Sequence, residues 1–296
     1  MARIAHLSDV HFGAHDPAVV AGAEAWLAAE RPDLVVISGD FTQRARTDQY
    51  REAGAFLDRI EAAGLATLGV PGNHDVPLYD VVQRFTRPLH RYRRYIDDDL
   101  CPWFESGNLA VLGINTARSL TFKDGRISHE QMAIIRERFR DVAKDKTKIL
   151  VTHHPLFEMP IGESGEPSEA VGRQSEALRA VADAGVHILL AGHFHRSFTQ
   201  SARRMVKNAG PALVIQAGTA TSTRLRHGET QSFNLIETHK NRTVEVAVIG
   251  WDGAAFRPGS RASFAFDGEN WESAASPSRH PGEGLDLEGT DRELWS

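Results

Sequence analysis

Short apolar runs alternate with longer amphipathic segments over most of the chain, and this alternation limits the folds that it can adopt. Apolar runs of about five residues bounded by turn residues are typical of buried strands, whereas the segments between them carry apolar residues at helical spacing. The alternation therefore predicts a layered α/β domain. The predicted strands are Arg3 to Leu7, Leu34 to Ser38, Ala66 to Val70, Leu109 to Ile114, Lys148 to Thr152, His187 to Ala191 and Ala212 to Gln216.

The predicted helices have recognisable ends. Asp16 and Pro17 supply an N-cap and a first-turn proline for one helix. Ser128 and Gln131 form a capping box at the start of another. Further helices are predicted over residues 47–63 and 174–184.

The last part of the chain departs from this alternation. Residues 232–237 and 243–249 predict an antiparallel pair, so the sheets are expected to be mixed. We expect one folded domain over residues 1–266. The tail over residues 267–296 is rich in Gly, Pro and Ser and is expected to be extended or disordered. This tail holds eight acidic residues and two arginines, which is enough to explain the net charge of -5.

Composition excludes several classes of protein. With 41% hydrophobic and 25% charged residues, the chain is typical of a globular protein. Its single cysteine, Cys101, excludes an intrachain disulfide and a zinc site built on thiolates. A total of 34 basic against 39 acidic residues argues against a nucleic-acid partner. The sequence has no apolar stretch of about 18 residues and no evident secretory signal, so we expect no transmembrane segment and a cytoplasmic location.

Aspartate, asparagine and histidine residues gather where five predicted strands end. Because ligand sites in open α/β sheets lie beyond the carboxyl ends of strands, these clusters can converge on one pocket. Such side chains, without thiolates, suit divalent Mn, Fe, Zn or similar ions. The Asp-x-His and His-x-His motifs are expected to be extended. The first and third side chains of each motif would then point the same way and could bind one ion together. The clusters are Asp9-Val10-His11, Gly39-Asp40, Gly72-Asn73-His74-Asp75, Thr152-His153-His154-Pro155 and Gly192-His193-Phe194-His195.

The five clusters, in this order, resemble the calcineurin-like metallophosphoesterase superfamily, over about residues 3 to 250. Within it the chain is similar to the bacterial class III cyclic-nucleotide and glycerophosphodiester phosphodiesterases. The resemblance implies an α/β fold, a four-layer α/β/β/α sandwich of two mixed β-sheets flanked by helices. It also implies hydrolysis of a small phosphoester, in the first place a phosphodiester, by a hydroxide that bridges two divalent metal ions.

Carried over position by position, the resemblance implies seven metal ligands. The ligands implied for one ion are Asp9, His11 and His195, those for the other are Asn73, His153 and His193, and Asp40 bridges the two. The choice of His153 over His154 as a ligand rests on the resemblance alone. His154 is expected to support the ligands or the substrate from outside the ligand set.

Three further residues are expected to act on the substrate. His74 is the candidate that protonates the leaving alkoxide, with Asp75 as a supporting catalytic group, and the alternative that His74 only binds phosphate stays open. Arg44 lies where protein phosphatases of the superfamily carry a phosphate-binding arginine, so it is a candidate substrate contact. Gln43 and Ala45 depart from the block of those phosphatases, which argues against a protein phosphatase.

Other functions and segments remain open at this point. A phosphomonoesterase or a nucleotide-lipid pyrophosphatase is an alternative enzyme, although no membrane-binding helix is evident, and a non-catalytic metal-binding scaffold is a third. A scaffold is expected to have lost ligands, and all seven are present. Residues 87–95 are interpreted as a solvated amphipathic helix, and residues 156–172 as a mobile loop. The oligomeric state is left open.

Overall fold

Two mixed β-sheets form the centre of the protein. The computed structural model describes residues 1–120, 124–158, 170–206, 209–226, 228–240 and 242–274. Most of the loop predicted over residues 156–172, and the tail from residue 275 onward, lie outside these described residues.

The described elements follow the predicted alternation of strands and helices. The strands are β1 (Ala2–Leu7), β2 (Leu34–Ile37), β3 (Thr67–Gly69), β4 (Trp103–Ser106), β5 (Leu109–Gly113), β6 (Thr147–Val151), β7 (Ile188–Ala191), β8 (Phe198–Ser201), β9 (Leu213–Gln216), β10 (Ser232–Thr238), β11 (Thr243–Trp251), β12 (Phe256–Phe266) and β13 (Trp271–Ala274). The helices are α1 (Pro17–Glu30), α2 (Thr47–Ala62), α3 (Val81–Thr86), α4 (His90–Tyr95), α5 (His129–Arg140), α6 (Gln174–Asp183) and α7 (Ala202–Met205), and Asn73–Asp75 forms a 3₁₀ turn.

Each sheet combines parallel and antiparallel strands, as predicted. The first has the order β13-β12-β11-β10-β1-β2-β3, in which β1, β2 and β3 are parallel and the other pairs are antiparallel. The second has the order β4-β5-β6-β7-β9-β8, in which β5, β6, β7 and β9 are parallel and the two edge strands are antiparallel. The predicted antiparallel pair is confirmed as β10 and β11.

Apolar side chains on both faces of the sheets explain the layered arrangement. In β2, Leu34 and Val36 belong to a buried cluster that also holds Val111 of β5 and Ile149 of β6, so the two sheets pack face to face. The alternate residues, such as Val35, pack against α1 and α2 on the outer side of the first sheet. Helices α5 and α6 cover the second sheet in the same way. The predicted α/β/β/α sandwich is confirmed.

The two predicted helix starts are confirmed by their caps. At α1, the Asp16 carboxylate accepts a hydrogen bond from the Ala18 N–H at 2.8 Å. At α5, the Gln131 N–H donates to Ser128 Oγ at 3.1 Å, and the Ser128 N–H donates to Gln131 Oε1 at 2.8 Å. These bonds satisfy amide groups that have no partner within the helix.

The first eight residues of the predicted tail form a turn and a strand that continue the first sheet. The Asp267 carboxylate accepts hydrogen bonds from the N–H groups of Glu269 at 2.8 Å and Asn270 at 2.7 Å, which forms a tight turn after β12. The chain then continues as β13, which pairs Trp271 with Phe266. Because the Trp271 side chain is buried, this part of the acidic segment belongs to the first sheet.

Two short helices lie between β3 and β4. In α4, Tyr92 is buried while Arg93 and Arg94 are exposed, which agrees with an amphipathic helix. Within the described residues, no helix has both the length and the apolar character needed to cross a membrane.

Candidate metal centre

The five predicted clusters lie on five loops that meet at one edge of the sandwich. The loops follow β1, β2 and β3 of the first sheet and β6 and β7 of the second. Backbone bonds hold neighbouring loops together: the Asp9 N–H donates to Gly39 O at 3.0 Å, and the Gly192 N–H donates to His153 O at 3.0 Å. The convergence predicted from the strand ends is therefore present.

Three side chains form a first cluster. The Oδ1 atom of Asp9 lies 3.0 Å from Nε2 of His195 and 3.6 Å from Nε2 of His11. The two Nε2 atoms are 3.2 Å apart. Asp9 and His11 are fully buried, and these three residues form a group whose ligand atoms can hold a metal ion.

A second cluster lies beside the first. The Oδ1 atom of Asn73 is 3.1 Å from Nε2 of His153 and 3.1 Å from Nδ1 of His193. The Nδ1–H of His153 donates to Ser38 O at 2.7 Å. Since a carbonyl oxygen only accepts, this bond places the ring proton on Nδ1 and directs the Nε2 lone pair into the cluster.

The carboxylate of Asp40 lies between the two clusters. Its Oδ2 atom is 3.7 Å from Nε2 of His11 in the first cluster and 3.4 Å from Nε2 of His153 in the second. Its Oδ1 atom accepts a hydrogen bond from the His74 N–H at 2.8 Å. One carboxylate is therefore within reach of both groups of ligand atoms.

Burial and charge make these side chains a donor set for cations. Burial opposes ionisation of Asp9, but His195 and His11 hold the pKa of its carboxyl group well below its usual range. Burial also disfavours the charged imidazole, and together with the nearby His153 it lowers the pKa of His193 to about 3, whereas the charge of Asp40 outweighs burial at His153 and raises its pKa to about 9. Carboxylates and neutral imidazole nitrogens are the ligands that first-row divalent ions prefer.

The spacing of the ligand atoms tests whether an ion fits. Ligand atoms at about 2.1 Å from one ion lie roughly 3 to 3.4 Å from each other, by the geometry of tetrahedral and octahedral shells. The separations in the first cluster are 3.0, 3.2 and 3.6 Å, and those from Asn73 in the second are both 3.1 Å, so that only the distance between Asp9 and His11 lies outside this range. In addition, Oδ1 of Asp9 is buried and accepts no hydrogen bond from any of the described residues. The residues fit a pair of divalent cations.

The backbone of the predicted ligands is mostly left-handed rather than extended. Residues other than glycine seldom adopt a positive φ, although Asp, Asn and His do so more often than most. The expectation of extended Asp-x-His and His-x-His segments is therefore wrong. The expectation that the His-x-His pair holds one ion is wrong as well, because His193 lies in the second cluster and His195 in the first. The five predicted ligands with positive φ are Asp9 (52°), His11 (49°), Asp40 (53°), His193 (81°) and His195 (57°).

Two glycines allow the ligand loops to approach closely. A Cβ atom on Gly72 would collide with the carboxylate of Asp40. A Cβ atom on Gly192 would collide with Ser8 Oγ and would lie 2.8 Å from Oδ2 of Asp9. A side chain at either position would displace a predicted ligand.

Hydroxyl groups next to Asp9 were not found by sequence reasoning. Ser8 Oγ donates to Oδ2 of Asp9 at 2.6 Å, and Thr219 Oγ1 donates to its backbone carbonyl at 2.7 Å. Ser8 directly precedes the predicted ligand Asp9, so its position in the sequence could have indicated this contact. Thr219 lies 210 residues away, and nothing local in the sequence points to it.

Asp75 holds two loops together instead of orienting His74. Its carboxylate accepts hydrogen bonds from the N–H groups of Phe41 at 3.1 Å, Thr42 at 2.9 Å and Gly72 at 2.9 Å, and from Thr42 Oγ1 at 3.0 Å. Burial and the charge of Asp40 raise its pKa to about 7. These contacts place the Asp75 carboxylate between the two loops, and its catalytic role stays a prediction.

His74 and Arg44 line an open cavity of about 270 Å³ together with Asn73 and Arg224. The Nδ1–H of His74 donates to Gln43 O at 2.8 Å, so Nε2 is the ring nitrogen left for a ligand in the cavity. The guanidinium of Arg44 is exposed and lies 5.4 Å from the centroid of the Tyr79 ring. Both residues are therefore at the cavity that adjoins the ligand atoms.

His154 lies beside the second cluster. Its Nδ1 atom and Thr116 Oγ1 form a hydrogen bond of 2.8 Å. His154 also forms a group with His153 and His193 whose ligand atoms lie within 4.8 Å of one another. The geometry thus brings both neighbouring histidines to the centre, and the preference for His153 still rests on the resemblance.

The comparisons with known proteins agree with this arrangement. The family model for calcineurin-like phosphoesterases matches residues 2–197. A probable glycerophosphodiester phosphodiesterase, GpdQ, of Arcobacter nitrofigilis is 24% identical over 57% of this chain and 59% of its own length. A probable cyclic nucleotide phosphodiesterase of Synechococcus sp. is 23% identical over 64% of this chain and 68% of its own length.

A solved structure has the same fold. The purple acid phosphatase PPD1 of yellow lupin (Lupinus luteus) superposes with a TM-score of 0.66 at 13% identity, over 87% of this chain and 52% of that chain. The chain spans 59% of the length of the Arcobacter relative, so the match covers part of each protein. The matched region contains all seven predicted ligands. The chain therefore belongs to the calcineurin-like phosphoesterase family, and its curated relatives fall in the phosphodiesterase branch that the five clusters predicted.

Proposed function

We propose that the protein hydrolyses a phosphodiester with the help of two divalent metal ions held at the two clusters. The observation that carries this proposal is the position of Asp40. Its Oδ2 atom lies 3.7 Å from Nε2 of His11 in the first cluster and 3.4 Å from Nε2 of His153 in the second. One shared carboxylate between two groups of nitrogen and oxygen ligands is the arrangement that a pair of ions requires. Membership of the phosphoesterase family supports the same chemistry.

The seven ligands divide between two ions. Bound divalent ions of this kind polarise a phosphoryl oxygen and lower the pKa of a coordinated water. Two such ions bring four positive charges, of which the carboxylates of Asp9 and Asp40 offset two, so the site attracts a phosphoester anion. Ions of Mn, Fe or Zn suit the donor set equally well. The residues that hold the first ion are Asp9, His11 and His195, those that hold the second are Asn73, His153 and His193, and Asp40 is shared.

His74 is proposed to give a proton to the leaving alkoxide. Because its Nδ1–H is engaged with Gln43 O, the proton must come from Nε2 of the protonated ring. Its N–H is bonded to Asp40, so the backbone that carries the ring is fixed relative to both clusters. A general acid must lie within hydrogen-bond reach of the oxygen that it protonates, and the cavity beside His74 is where that oxygen would lie.

Arg44 is proposed to hold the substrate rather than to react with it. Its guanidinium is at the rim of the same cavity as His74, and stacking on Tyr79 limits its freedom. A guanidinium presents paired N–H groups that match two oxygens of a phosphoryl group. Loss of this contact should therefore weaken substrate binding more than it slows the chemical step.

The preference for diesters and the cytoplasmic location are also part of the proposal. The curated relatives in the Arcobacter and Synechococcus species are both named as probable phosphodiesterases. A protein with one cysteine suits a reducing compartment. A phosphomonoesterase would use the same metal centre, so the substrate has to be tested directly.

Hydrolysis by the metal-reconstituted protein tests the proposal. Bis-p-nitrophenyl phosphate, p-nitrophenyl phosphate, and 2′,3′- and 3′,5′-cyclic nucleotides are compared at the same metal concentration, with Asn73→Ala as the variant that lacks a predicted ligand. We expect diester turnover to exceed monoester turnover and Asn73→Ala to reduce it by about a hundredfold or more. Monoester turnover far above diester turnover would favour the phosphomonoesterase, and metal binding without any turnover would favour the scaffold.

A further inference from the structure

Exposed apolar side chains gather on and around α3. The described residues have eight large apolar side chains that are exposed, and six of them lie in this region, with exposed fractions between 41% and 77%. Scattered apolar residues are ordinary on a protein surface, but a contiguous group marks a site of interaction. The six residues, which we call the α3 patch, are Leu78, Tyr79, Val81, Val82, Phe85 and Leu120.

An ordinary surface helix buries its apolar side chains and exposes its charged ones, whereas α3 exposes apolar side chains and buries an arginine. Val82 is 74% exposed and Phe85 is 58% exposed, whereas Arg84 is only 3% exposed. The Arg84 guanidinium donates to Ser119 O at 2.7 Å and to Pro77 O at 2.9 Å. These bonds fix α3 next to the segment that carries Leu120, so the patch is one surface with a defined orientation.

A basic cavity of about 590 Å³ borders this patch. Leu120 of the patch lines the cavity, and so do the side chains of Arg87, Arg93, Arg118 and Arg126. None of the described residues that line the cavity is acidic. The lining of the cavity therefore combines apolar side chains with four arginines.

Three of these four arginines form no ion pair with any acidic residue that the structure describes. Arg93 pairs with Asp98 at 3.1 Å, whereas the other three, Arg118 and Arg126 among them, have no such partner within the described residues. Burial and the nearby charges of Arg126 and Arg173 lower the pKa of Arg118. Cations that are held close together without a counter-ion attract an anion to the space between them.

We propose that the α3 patch and the basic cavity dock onto an anionic lipid bilayer, with the apolar side chains in the acyl region and lipid phosphates at Arg118 and Arg126. Apolar residues flanked by arginines are the combination that binds at such an interface. This proposal goes beyond the proposed function and does not depend on it. In the docked state, the metal-centre cavity would open toward the lipid, because Leu78 of the patch lines that cavity as well.

The charges around the patch favour a lipid over a second copy of the chain. An isologous contact places the same surface of two copies together, so it would bring the arginines of one copy against those of the other. The acidic residue Asp80 caps α3 and lies 3.7 Å from the guanidinium of Arg91, so its charge is already partly offset. The remaining positive charge matches anionic headgroups, which attract basic residues near the membrane surface.

Sedimentation of the full chain with lipid vesicles tests the proposal. Vesicles of dioleoylphosphatidylglycerol are compared with vesicles of dioleoylphosphatidylcholine, at low and at high salt. We expect the protein to bind the anionic vesicles at least tenfold more strongly than the neutral ones, with weaker binding at high salt. Binding to neither kind of vesicle would overturn the proposal.

Two double variants separate the apolar from the cationic contribution. Val82→Asp with Phe85→Asp removes the apolar contact, and Arg118→Gln with Arg126→Gln removes the phosphate site. Each is expected to reduce binding to anionic vesicles at least tenfold. The matched controls, which make the same charge changes on exposed faces of α1, α2 and α6, are Ala21→Asp with Ala28→Asp and Arg51→Gln with Arg179→Gln.

The same variants test whether a second copy of the chain, rather than a lipid, covers the α3 patch. The Val82→Asp with Phe85→Asp protein is examined by thermal unfolding and by analytical ultracentrifugation, and its melting temperature should match that of the wild type because both side chains are exposed. The arginine variant tests the proposal independently of the α3 substitutions. Unchanged vesicle binding in both double variants, or a lipid-free dimer that Val82→Asp with Phe85→Asp dissociates, would overturn the proposal.

Discussion

The predicted ligands Asp9 and His11 both have a left-handed backbone. Asp9 and His11 are two residues apart, and an extended chain would point both side chains to one side. Their φ angles of 52° and 49° instead form a turn that aims both at the first cluster. A non-glycine residue in this region costs about 1 to 3 kcal/mol, which the surrounding hydrogen bonds must offset. Residue types and their order predicted which side chains are ligands, but the backbone geometry depends on contacts with distant loops.

Gly192→Ala tests the close approach of the ligand loops. The added Cβ atom would collide with Ser8 Oγ and would lie 2.8 Å from Oδ2 of Asp9, so the first cluster must shift. We expect metal affinity and hydrolysis of bis-p-nitrophenyl phosphate to fall by about tenfold or more, since overpacking of this kind costs about 1 to 3 kcal/mol. Isothermal titration with Mn²⁺ and steady-state kinetics measure the two effects.

Gly250→Ala is the matched control for this substitution. A Cβ atom on Gly250 would have its nearest neighbour, Thr230 Oγ1, at 3.8 Å, which is ordinary contact. This variant should keep the metal affinity and activity of the wild type. Equal behaviour of the two glycine variants would contradict the proposed crowding at Gly192.

At the scale of the element, strands and capped helices were predictable because their signals are local. The capping box of Ser128 and Gln131 correctly located the start of α5. Strand β13 was missed because the acidic composition after Asp267 outweighed a single tryptophan. Its pairing with β12 is a tertiary contact that composition does not report. The exposed apolar face of α3 also depends on tertiary contacts, so it is evident only once the neighbours of the helix are known.

Trp271→Ala tests whether β13 is an integral part of the first sheet. Trp271 is 3% exposed, and its ring lies 5.5 Å from the centroid of the Phe266 ring. We expect its replacement to lower the free energy of unfolding by about 3 to 5 kcal/mol, the range for truncation of a buried Phe or Trp side chain to Ala. Urea unfolding followed by circular dichroism measures this change, and a loss below about 0.5 kcal/mol would mean that β13 contributes little.

The junction of β6 and β7 should make stability depend on pH. The Lys148 N–H donates to Nδ1 of His187 at 3.0 Å, and burial together with the charges of Arg242 and Lys148 lowers the pKa of His187 to about 4. The folded protein thus binds the proton more weakly than the unfolded chain, whose histidine has a pKa of about 6.5. Its contribution to stability is complete above pH 6.5 and is lost as the pH falls toward 4.

His187→Asn removes this titration. Between pH 7 and pH 5 the wild type should lose about 1 to 2 kcal/mol more stability than the variant, a range that allows for the partial exposure of the ring. Unfolding in urea at both pH values gives the difference directly. Parallel pH profiles of the two proteins would show that His187 does not titrate in this range.

At the scale of the whole molecule, the centre depends on the packing of both sheets. Asp9, Asp40 and Asn73 follow strands of the first sheet, whereas His153 and His193 follow strands of the second. No single sheet holds either complete set of proposed ligands, so metal binding and sandwich packing are coupled. The order of the clusters along the chain indicated that they meet, but their division between two sheets followed only from the family resemblance.

The number of divalent ions bound per chain tests the central claim most directly. The protein is reconstituted with Mn²⁺, freed of excess metal and examined by inductively coupled plasma mass spectrometry, with Asn73→Ala as the comparison. The two-cluster arrangement predicts two ions per chain in the wild type. In Asn73→Ala it predicts one ion per chain and about a hundredfold lower diester hydrolysis, because Asn73 Oδ1 lies 3.1 Å from nitrogens of both His153 and His193. A single ion per wild-type chain, or two ions with full activity in Asn73→Ala, would contradict the account.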